Sequence, residues 1–377
     1  MTVKTEKQTL PKYRQLQSKL ITAIESGRYQ LGSKLPVGRE LAKTLGVSYV
    51  TLNSAMRGLE EQGYVRRVHG SGIFVTDPAE ALSRKDETTS RQIGALMPLR
   101  GDLFQNFSDK LIHELDKHDY FLTPLPTTTL LDKLSESDRV KRIAKIAQSH
   151  FDSLVIDGSR HVPYNLLCKY RKSFDHITFI MHNECGTDFP GANSVLSDYR
   201  QAGYIAARKL FEAGRKKLAL ITFEPLSEMR IRLNGARRKG YDYEIIDGVE
   251  QAYALAGISF AENFDIIIDM MIETPVVPTE DKITHSIKLG FDGFICVGDS
   301  RAPHLYKAAS GFDMIPGREI GVVGLYNTNW TDILTPKLSS ISIKENEIAE
   351  ITCDLIFKGA NDEKVIIQPE FIDKGSC

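Results

Sequence analysis

Arg39-Glu40-Leu41-Ala42-Lys43-Thr44-Leu45-Gly46-Val47-Ser48-Tyr49-Val50-Thr51-Leu52-Asn53 decides the fold of the first part of this chain. Leu41, Ala42 and Leu45 recur at helical spacing, so Arg39 to Leu45 reads as a short helix with one apolar face. Gly46-Val47-Ser48 is a tight turn, and Ser48 is a residue type that caps the helix after it. That next helix is expected from about Tyr49 to Gln62, burying Val50, Leu52, Ala55, Met56 and Leu59, with Gly63 ending it. Upstream, Leu16, Leu20, Ala23 and Ile24 mark an earlier helix that stops at Ser26-Gly27, where Gly27 suits a left-handed cap. Downstream, Tyr64-Val65-Arg66-Arg67-Val68 and Ile73-Phe74-Val75 flank His69-Gly70-Ser71-Gly72, two short β runs around a glycine-bearing tip.

Helix, helix-turn-helix and hairpin make the plan of a winged helix-turn-helix (α+β) domain over 1–77, a plan that places the third helix in a DNA major groove and the wing on backbone or minor groove. Charge agrees with that partner. Residues 1–77 carry 12 Lys and Arg against 6 Asp and Glu, whereas the remaining 300 carry 36 against 43. A basic module on an acidic body directs only the first toward a polyanion. The chain of 377 residues is long enough for a small domain and a bilobed larger one, and its composition, 42% hydrophobic and 26% charged, is that of a globular protein. There is no run of 18 apolar residues, and Met1 to Leu10 is polar, so a cytoplasmic protein without membrane association is expected. The five cysteines form no Cys-x-x-Cys pair and the histidines no His-Glu-x-x-His, so no metal site is expected. Phosphate-cradling, nucleophile-elbow and dinucleotide-binding glycine motifs are also missing, which leaves no catalytic residue and no cofactor to assign.

Residues 78–91 are polar without apolar period and read as a linker. From Ile93 the pattern changes. Apolar runs at Ile93–Met97, Leu154–Ile156, Ile177–Ile180, Leu218–Ile221, Ile266–Ile268, Gly293–Val297 and Ile320–Val323 alternate with helical stretches near 104–117, 137–149, 198–213, 229–240, 280–289, 299–310 and 345–357. Such alternation predicts parallel sheets in a bilobed α/β domain over 92–377, with any ligand beyond the carboxyl ends of the strands.

The landmarks of the first domain carry a family resemblance. Lys12-Tyr13-x-Gln15-Leu16, Ser26-Gly27-x-Tyr29-x-x-Gly32-x-x-Leu35-Pro36, Arg39-Glu40-Leu41-Ala42, Leu45-Gly46-Val47-Ser48, Thr51-Leu52, Gly63-Tyr64-Val65 and Gly70-x-Gly72-x-Phe74-Val75 resemble the GntR-family DNA-binding domain. The resemblance implies DNA contacts at Arg39, Ser48, Tyr49, Thr51, Asn53 and the wing tip His69-Gly70. Arg57, further along the third helix, either reaches phosphate or is a solvated arginine. Position 53 is often Arg in the family; Asn53 here suits adenine where Arg prefers guanine. Position 37, usually a small polar cap, is Val37.

The larger part is similar to the LacI/GalR sensor domain, itself periplasmic-binding-protein-like, in Ile93-Gly94-x-Leu96-x-Pro98, Phe151-Asp152-Ser153-Leu154-Val155-Ile156, Asp198-x-x-x-Ala202-Gly203, Arg232-x-x-Gly235, Phe291-Asp292-Gly293, Gly298-Asp299, Ile320-Gly321-Val322-Val323-Gly324 and Pro369-Glu370-Phe371-Ile372. A GntR-type winged helix joined to such a sensor resembles the AraR-like subgroup, whose effector is arabinose. By that resemblance one lobe holds roughly 92–213 with 344–366, the other 214–343 with 367–377, and a small carbohydrate lies between them. The implied effector contacts are Arg232, which clamps sugar hydroxyls, Asp299, which accepts them, His182 and Asn183 after a strand end, Phe104 with Asn106 nearby, and Tyr326 with Asn327 where the family often has Asp or Asn. Asp299 is equally a helix cap and Phe104 equally plain core. The chain is thus expected to be a transcriptional regulator, a repressor of carbohydrate-utilisation genes, binding a palindromic operator as a homodimer and no enzyme. The rival is a cytoplasmic sugar-binding or sugar-processing protein with an incidental winged-helix module.

Overall fold

The computed structural model describes residues 12–36, 38–68, 72–77, 91–99, 101, 104–127, 130–131, 133–149, 151–158, 164–182, 189–222, 241–268 and 279–377. Two compact units divide the chain: 1–93 with 129–154 and 163–175, and 94–128 with 155–162 and 176–377.

In the first unit, α1 (Lys12–Glu25) buries Leu16, Gln17, Leu20 and Ile24, one stripe at spacings of three and four, and Gly27 follows with φ +77°. Helix α2 (Gly38–Thr44) buries Leu41 and Ala42. Helix α3 (Tyr49–Glu61) starts at Ser48, whose side chain accepts the Thr51 N–H. Leu52, Ala55, Met56 and Leu59 close the core against α1, Leu35, Tyr64, Val65 and Val75. The crossing of α1 and α3 is tight: a Cβ on Gly58 would lie 2.7 Å from Gln17 Nε2. Strands β1 (Val65–Val68) and β2 (Gly72–Val75) pair antiparallel, Val65 opposite Val75 and Val68 opposite Gly72. The chain at Ser33 and Leu35 lies along β2, with Leu35 N–H donating to Ile73 O and Val75 N–H to Ser33 O. Val50 departs from expectation: it is 74% exposed, because at 100° per residue it points away from the stripe that Leu52 begins.

The chain continues through β3 (Gln92–Leu96), α4 (Gln105–Asp116), β4 (Phe121–Pro124), α5 (Glu136–Gln148), β5 (Ser153–Asp157), α6 (Tyr164–Lys169), β6 (His176–Met181) and β7 (Asn193–Ser197). It goes on to α7 (Tyr199–Glu212), β8 (Leu218–Thr222), α8 (Tyr241–Ala256), α9 (Phe260–Asn263), β9 (Phe264–Ile268), α10 (Thr279–Lys288), β10 (Gly293–Cys296), α11 (Ala302–Ser310), β11 (Gly321–Leu325) and α12 (Trp330–Ile333). It ends with β12 (Ser339–Ser342), α13 (Glu345–Lys358), β13 (Lys364–Ile367) and β14 (Glu370–Ile372). One six-stranded sheet has the order β13-β7-β6-β5-β3-β4 and the other β14-β12-β11-β10-β8-β9. In the second, β8, β9, β10, β11 and β12 pair parallel and only β14 runs antiparallel. Strands β8, β10 and β11 are buried along their whole length, the mark of parallel strands covered on both faces.

The chain passes between the two sheets through α7, returns through α13, and passes again between β13 and β14. Helices α7 and α8 touch backbone to backbone. A Cβ on Gly203 would lie 2.0 Å from Ile245 O, and one on Gly248 1.9 Å from Arg200 O. The α/β alternation holds, but the apolar runs do not mark β4, β7, β12, β13, β14 or α8. The helix expected near 229–240 lies outside the described residues. Strand β12 is hard to read because it is Ser-Ser-Ile-Ser; its buried serines are satisfied by partners distant in sequence, Ser339 by Asp373 and Ser340 by Asp299. Among the described residues no helix is long and apolar enough to cross a membrane, and no group of three His, Cys, Asp or Glu is placed to hold a metal.

Candidate nucleic-acid interface and ligand site

The outer surface of the first unit is built around the start of α3. Ser48 Oγ accepts the Thr51 N–H at 3.1 Å and lies 2.8 Å from Thr51 Oγ1, which fixes the first turn and satisfies one of its orphan donors. Tyr49 and Val50 are 54% and 74% exposed, and Arg39, Asn53 and Arg57 are exposed beside them. Tyr49 leans on the start of α2, its Cε2 3.0 Å from where a Gly38 Cβ would be. The wing strand reaches this face. Arg67 Nη2 donates to Asn53 Oδ1 at 2.8 Å, Arg67 Nε lies 3.1 Å from Glu60 Oε2, and the Arg67 N–H donates to Glu60 Oε1 at 3.2 Å. Arg66 stacks over Phe74 at 5.8 Å. A helix with tyrosine, valine, threonine and asparagine at its tip and arginines along its flank offers base-edge groups in the middle and phosphate-seeking charge around them.

In the second unit, polar side chains gather where strands end, and they are buried. Strand β5 ends at Asp157, and His182 follows β6 after Met181, whose φ is +67°. His182 Nε2 lies 3.1 Å from Asp157 Oδ1, both side chains under 10% exposed. The Tyr199 ring meets His182 edge-on at 6.1 Å. Tyr199 opens α7 and is wholly buried; burial pushes its phenol well above the ordinary range, and neighbouring Tyr326, Asp157, Glu345 and Glu244 push the same way. On the other sheet, Gly298 takes φ +93° and delivers Asp299, which is fully buried. Asp299 Oδ2 accepts from Thr328 N–H at 2.6 Å and Thr328 Oγ1 at 3.0 Å, and its Oδ1 accepts from Ser340 Oγ at 2.7 Å. Tyr326 and Asn327 follow β11 in the left-handed region, φ +91° and +47°, and Asn327 N–H donates to Ser340 Oγ. Asn327 Oδ1 and Glu345 Oε1 are buried without a hydrogen-bond partner among the described residues. Burial, and then the charge of Asp299, push Glu345 up to about 7. Carboxylate, carboxamide and phenol oxygens dominate this cluster, a set suited to receiving hydroxyl donors.

Residues 12–75 match the family of bacterial regulatory proteins called GntR. These residues are a GntR-family DNA-binding domain. Nearly the whole chain, 98% of it, is 23% identical to the arabinose metabolism transcriptional repressor of Geobacillus stearothermophilus, over 99% of that protein. The repressor of the same name from Halalkalibacterium halodurans is 21% identical over 93% of this chain and 88% of its own. Beyond the GntR domain, the fold is that of LacI-family regulators: the crystal structure of one from Enterococcus faecium, with bound ribose, superposes with TM-score 0.58 at 16% identity over 76% of this chain and 98% of its own. The chain is a DNA-binding transcriptional regulator with a periplasmic-binding-protein-like second part.

Of the GntR domain's expected DNA contacts, the structure places Tyr49, Thr51, Asn53 and Arg57 on α3, Ser48 at its cap and Arg39 exposed on α2; His69 and Gly70 lie outside the described residues. Arg67 went unread in the sequence, although the basic pair Arg66-Arg67 next to the third helix was its signal. Among the expected ligand contacts, His182, Asp299 and Tyr326 are buried and Asn327 is half-buried, at or just beyond strand ends. Asp299 ties Thr328 and Ser340 together. Phe104 is 7% exposed at the start of α4, packed as core, and Asn106 is exposed on that helix. Asn183 and Arg232 lie outside the described residues. Asp157, Tyr199, Ser340 and Glu345 were missed. Asp157 alone had a signal, since it follows the Leu154–Ile156 run at a strand's carboxyl end.

Proposed function

We propose that this chain is a cytoplasmic repressor of carbohydrate-utilisation genes: residues 1–77 bind the operator, 78–91 link, and 92–377 bind a small sugar that changes operator affinity. The observation that carries it is the join of two surfaces in one chain: an exposed α3 with Tyr49, Thr51, Asn53 and Arg57, and a second part whose strand ends bury hydroxyl-accepting groups. Arabinose or a related pentose is the effector we favour, because both repressors of arabinose metabolism align with almost the whole chain. Arg232 and Asn183 complete the sugar contacts with His182, Asp299, Tyr326 and Asn327, and Phe104 with Asn106 stands at the edge of the site. Two copies of the chain on a palindromic operator place two α3 helices one DNA turn apart, and closure on the sugar alters their spacing. The groups near the sugar bind it and do no chemistry on it.

Gel shift of the full chain on the upstream region of its own locus, repeated with arabinose, ribose and xylose, tests this. Binding that falls steeply with salt and is modulated by one of these sugars is expected. Arg232→Ala, examined by calorimetry with that sugar and by gel shift, should lose the sugar response and keep operator binding. No DNA binding at low salt would overturn the regulator; DNA binding with no response to any sugar would overturn the effector class.

A further inference from the structure

We infer that Arg67, from the wing strand, is the guanidinium that reads a guanine in each operator half-site, with Asn53 and Glu60 holding it in place. This rests on the operator-binding function proposed above and adds a residue to it.

Asn53 stands exposed on α3, two residues after Thr51. The structure supplies an arginine to the same place from the neighbouring strand. Arg67 lies on β1; its backbone N–H donates to Glu60 Oε1 on α3, and its Nε lies 3.1 Å from Glu60 Oε2 as an ion pair. Seven residues separate Glu60 from Asn53, two helical turns, so both lie on one face of α3. The Arg67 side chain spans that face from Glu60 toward Asn53, where Nη2 donates to Oδ1 at 2.8 Å. It remains 46% exposed. A guanidinium has five N–H donors. Nε faces the Glu60 carboxylate, one hydrogen of Nη2 is used, and Nη1 has no hydrogen-bonding partner among the described residues. Three donors in one plane are therefore left on the operator side, the fork that matches O6 and N7 of guanine.

The same geometry changes the role of Asn53. Adenine recognition by asparagine needs Oδ1 to accept from N6 while Nδ2 donates to N7. With Oδ1 accepting from Arg67, Asn53 is a positioning residue that fixes the plane of the guanidinium. Glu60 acts likewise and also keeps the arginine from collapsing onto phosphate, since its carboxylate would be driven from the backbone.

The test uses the full chain, with an operator obtained by selecting random 30-base-pair duplexes on the wild-type protein. Arg67→Lys keeps the charge and loses the planar fork; Arg67→Gln loses both. Anisotropy titrations follow each protein on the selected operator and on operators with each G·C pair changed to A·T. The wild-type should lose about 10-fold or more at one G·C pair per half-site, the cost of a bidentate base contact. Arg67→Lys should erase that discrimination while its salt slope stays that of the wild-type. Asn53→Ala should weaken the same discrimination and no other. Thermal melts of all variants should match wild-type, so that unfolding is recognised. If Arg67→Gln loses affinity equally on every duplex, or Arg67→Lys keeps the guanine preference, Arg67 is a phosphate contact and the inference fails. If the wild-type selects no duplex at all, the failure belongs to the operator-binding function instead.

Discussion

Replacing Glu345 by Gln should make the protein more stable at pH 8 and leave it unchanged at pH 4. Glu345 opens α13, is 5% exposed, and its Oε1 has no hydrogen-bond partner among the described residues. Burial first, and then the Asp299 carboxylate, raise it from 4.5 to about 7. A carboxyl that holds its proton more tightly folded than unfolded costs nothing below about 4.5, where both states are protonated. Between 4.5 and 7 the unfolded chain ionises while the folded chain cannot, so stability falls as pH rises; above 7 the loss is constant. At about 1.4 kcal/mol per pH unit, the full loss is about 3 kcal/mol. Gln has nearly the same shape and no charge, so it removes the loss and keeps the packing. Urea or thermal unfolding of both proteins at half-unit steps from pH 4 to 8 reads the difference directly. The two stability curves should coincide at pH 4 and separate by up to about 3 kcal/mol at pH 8, the separation growing through the window between 4.5 and 7. Parallel curves would refute the burial argument, and a Gln variant weaker at pH 8 would mean that the carboxylate is charged and bonded in the folded protein.

Asp299→Asn should lower stability by about 1–3 kcal/mol, because one oxygen accepting from Thr328 or Ser340 becomes a donor facing a donor. The same change removes the charge that raises Glu345, so the pH-dependent fall in stability should move to lower pH, which the same unfolding series detects. Ser48→Ala removes the acceptor for Thr51 N–H and should cost about 1 kcal/mol in the winged helix, measured by hydrogen exchange of the α3 amides, with weaker operator binding. Gly248→Ala drives a methyl into Arg200 O where only a hydrogen fits, and should cost about 1–3 kcal/mol or more, read as a lower melting temperature.

The first domain was legible because its contacts are local. Apolar spacing, a capping Ser48, a turn at Gly46 and the wing's two β runs lie within about 65 residues, and each element follows from its own neighbours. Periodicity misplaced Val50 because an apolar residue in a helix was assumed to face inward, whereas the face is set by where α1 and the wing pack. In the larger part the buried apolar strands β8, β10 and β11 announced parallel sheets, while β12 is serine-rich and the edge strands β4, β13 and β14 offer only two or three apolar residues each, too short a run to announce a strand.

The sequence by itself determined the two fold classes and the helices of the first domain, since these depend on composition and on periodicities of a few residues. Only the tertiary structure decided which side chains meet. Arg67 reaches Asn53 across 14 residues, His182 reaches Asp157 across 25, and Ser340 reaches Asp299 across 41. Those pairs form because strands that are neighbours in a sheet are distant in the chain, and a buried or constrained polar atom takes whichever partner the packing brings within 3 Å. No local pattern carries that information, so a helix can be read from its apolar spacing, but the atoms that hold its side chains in place cannot.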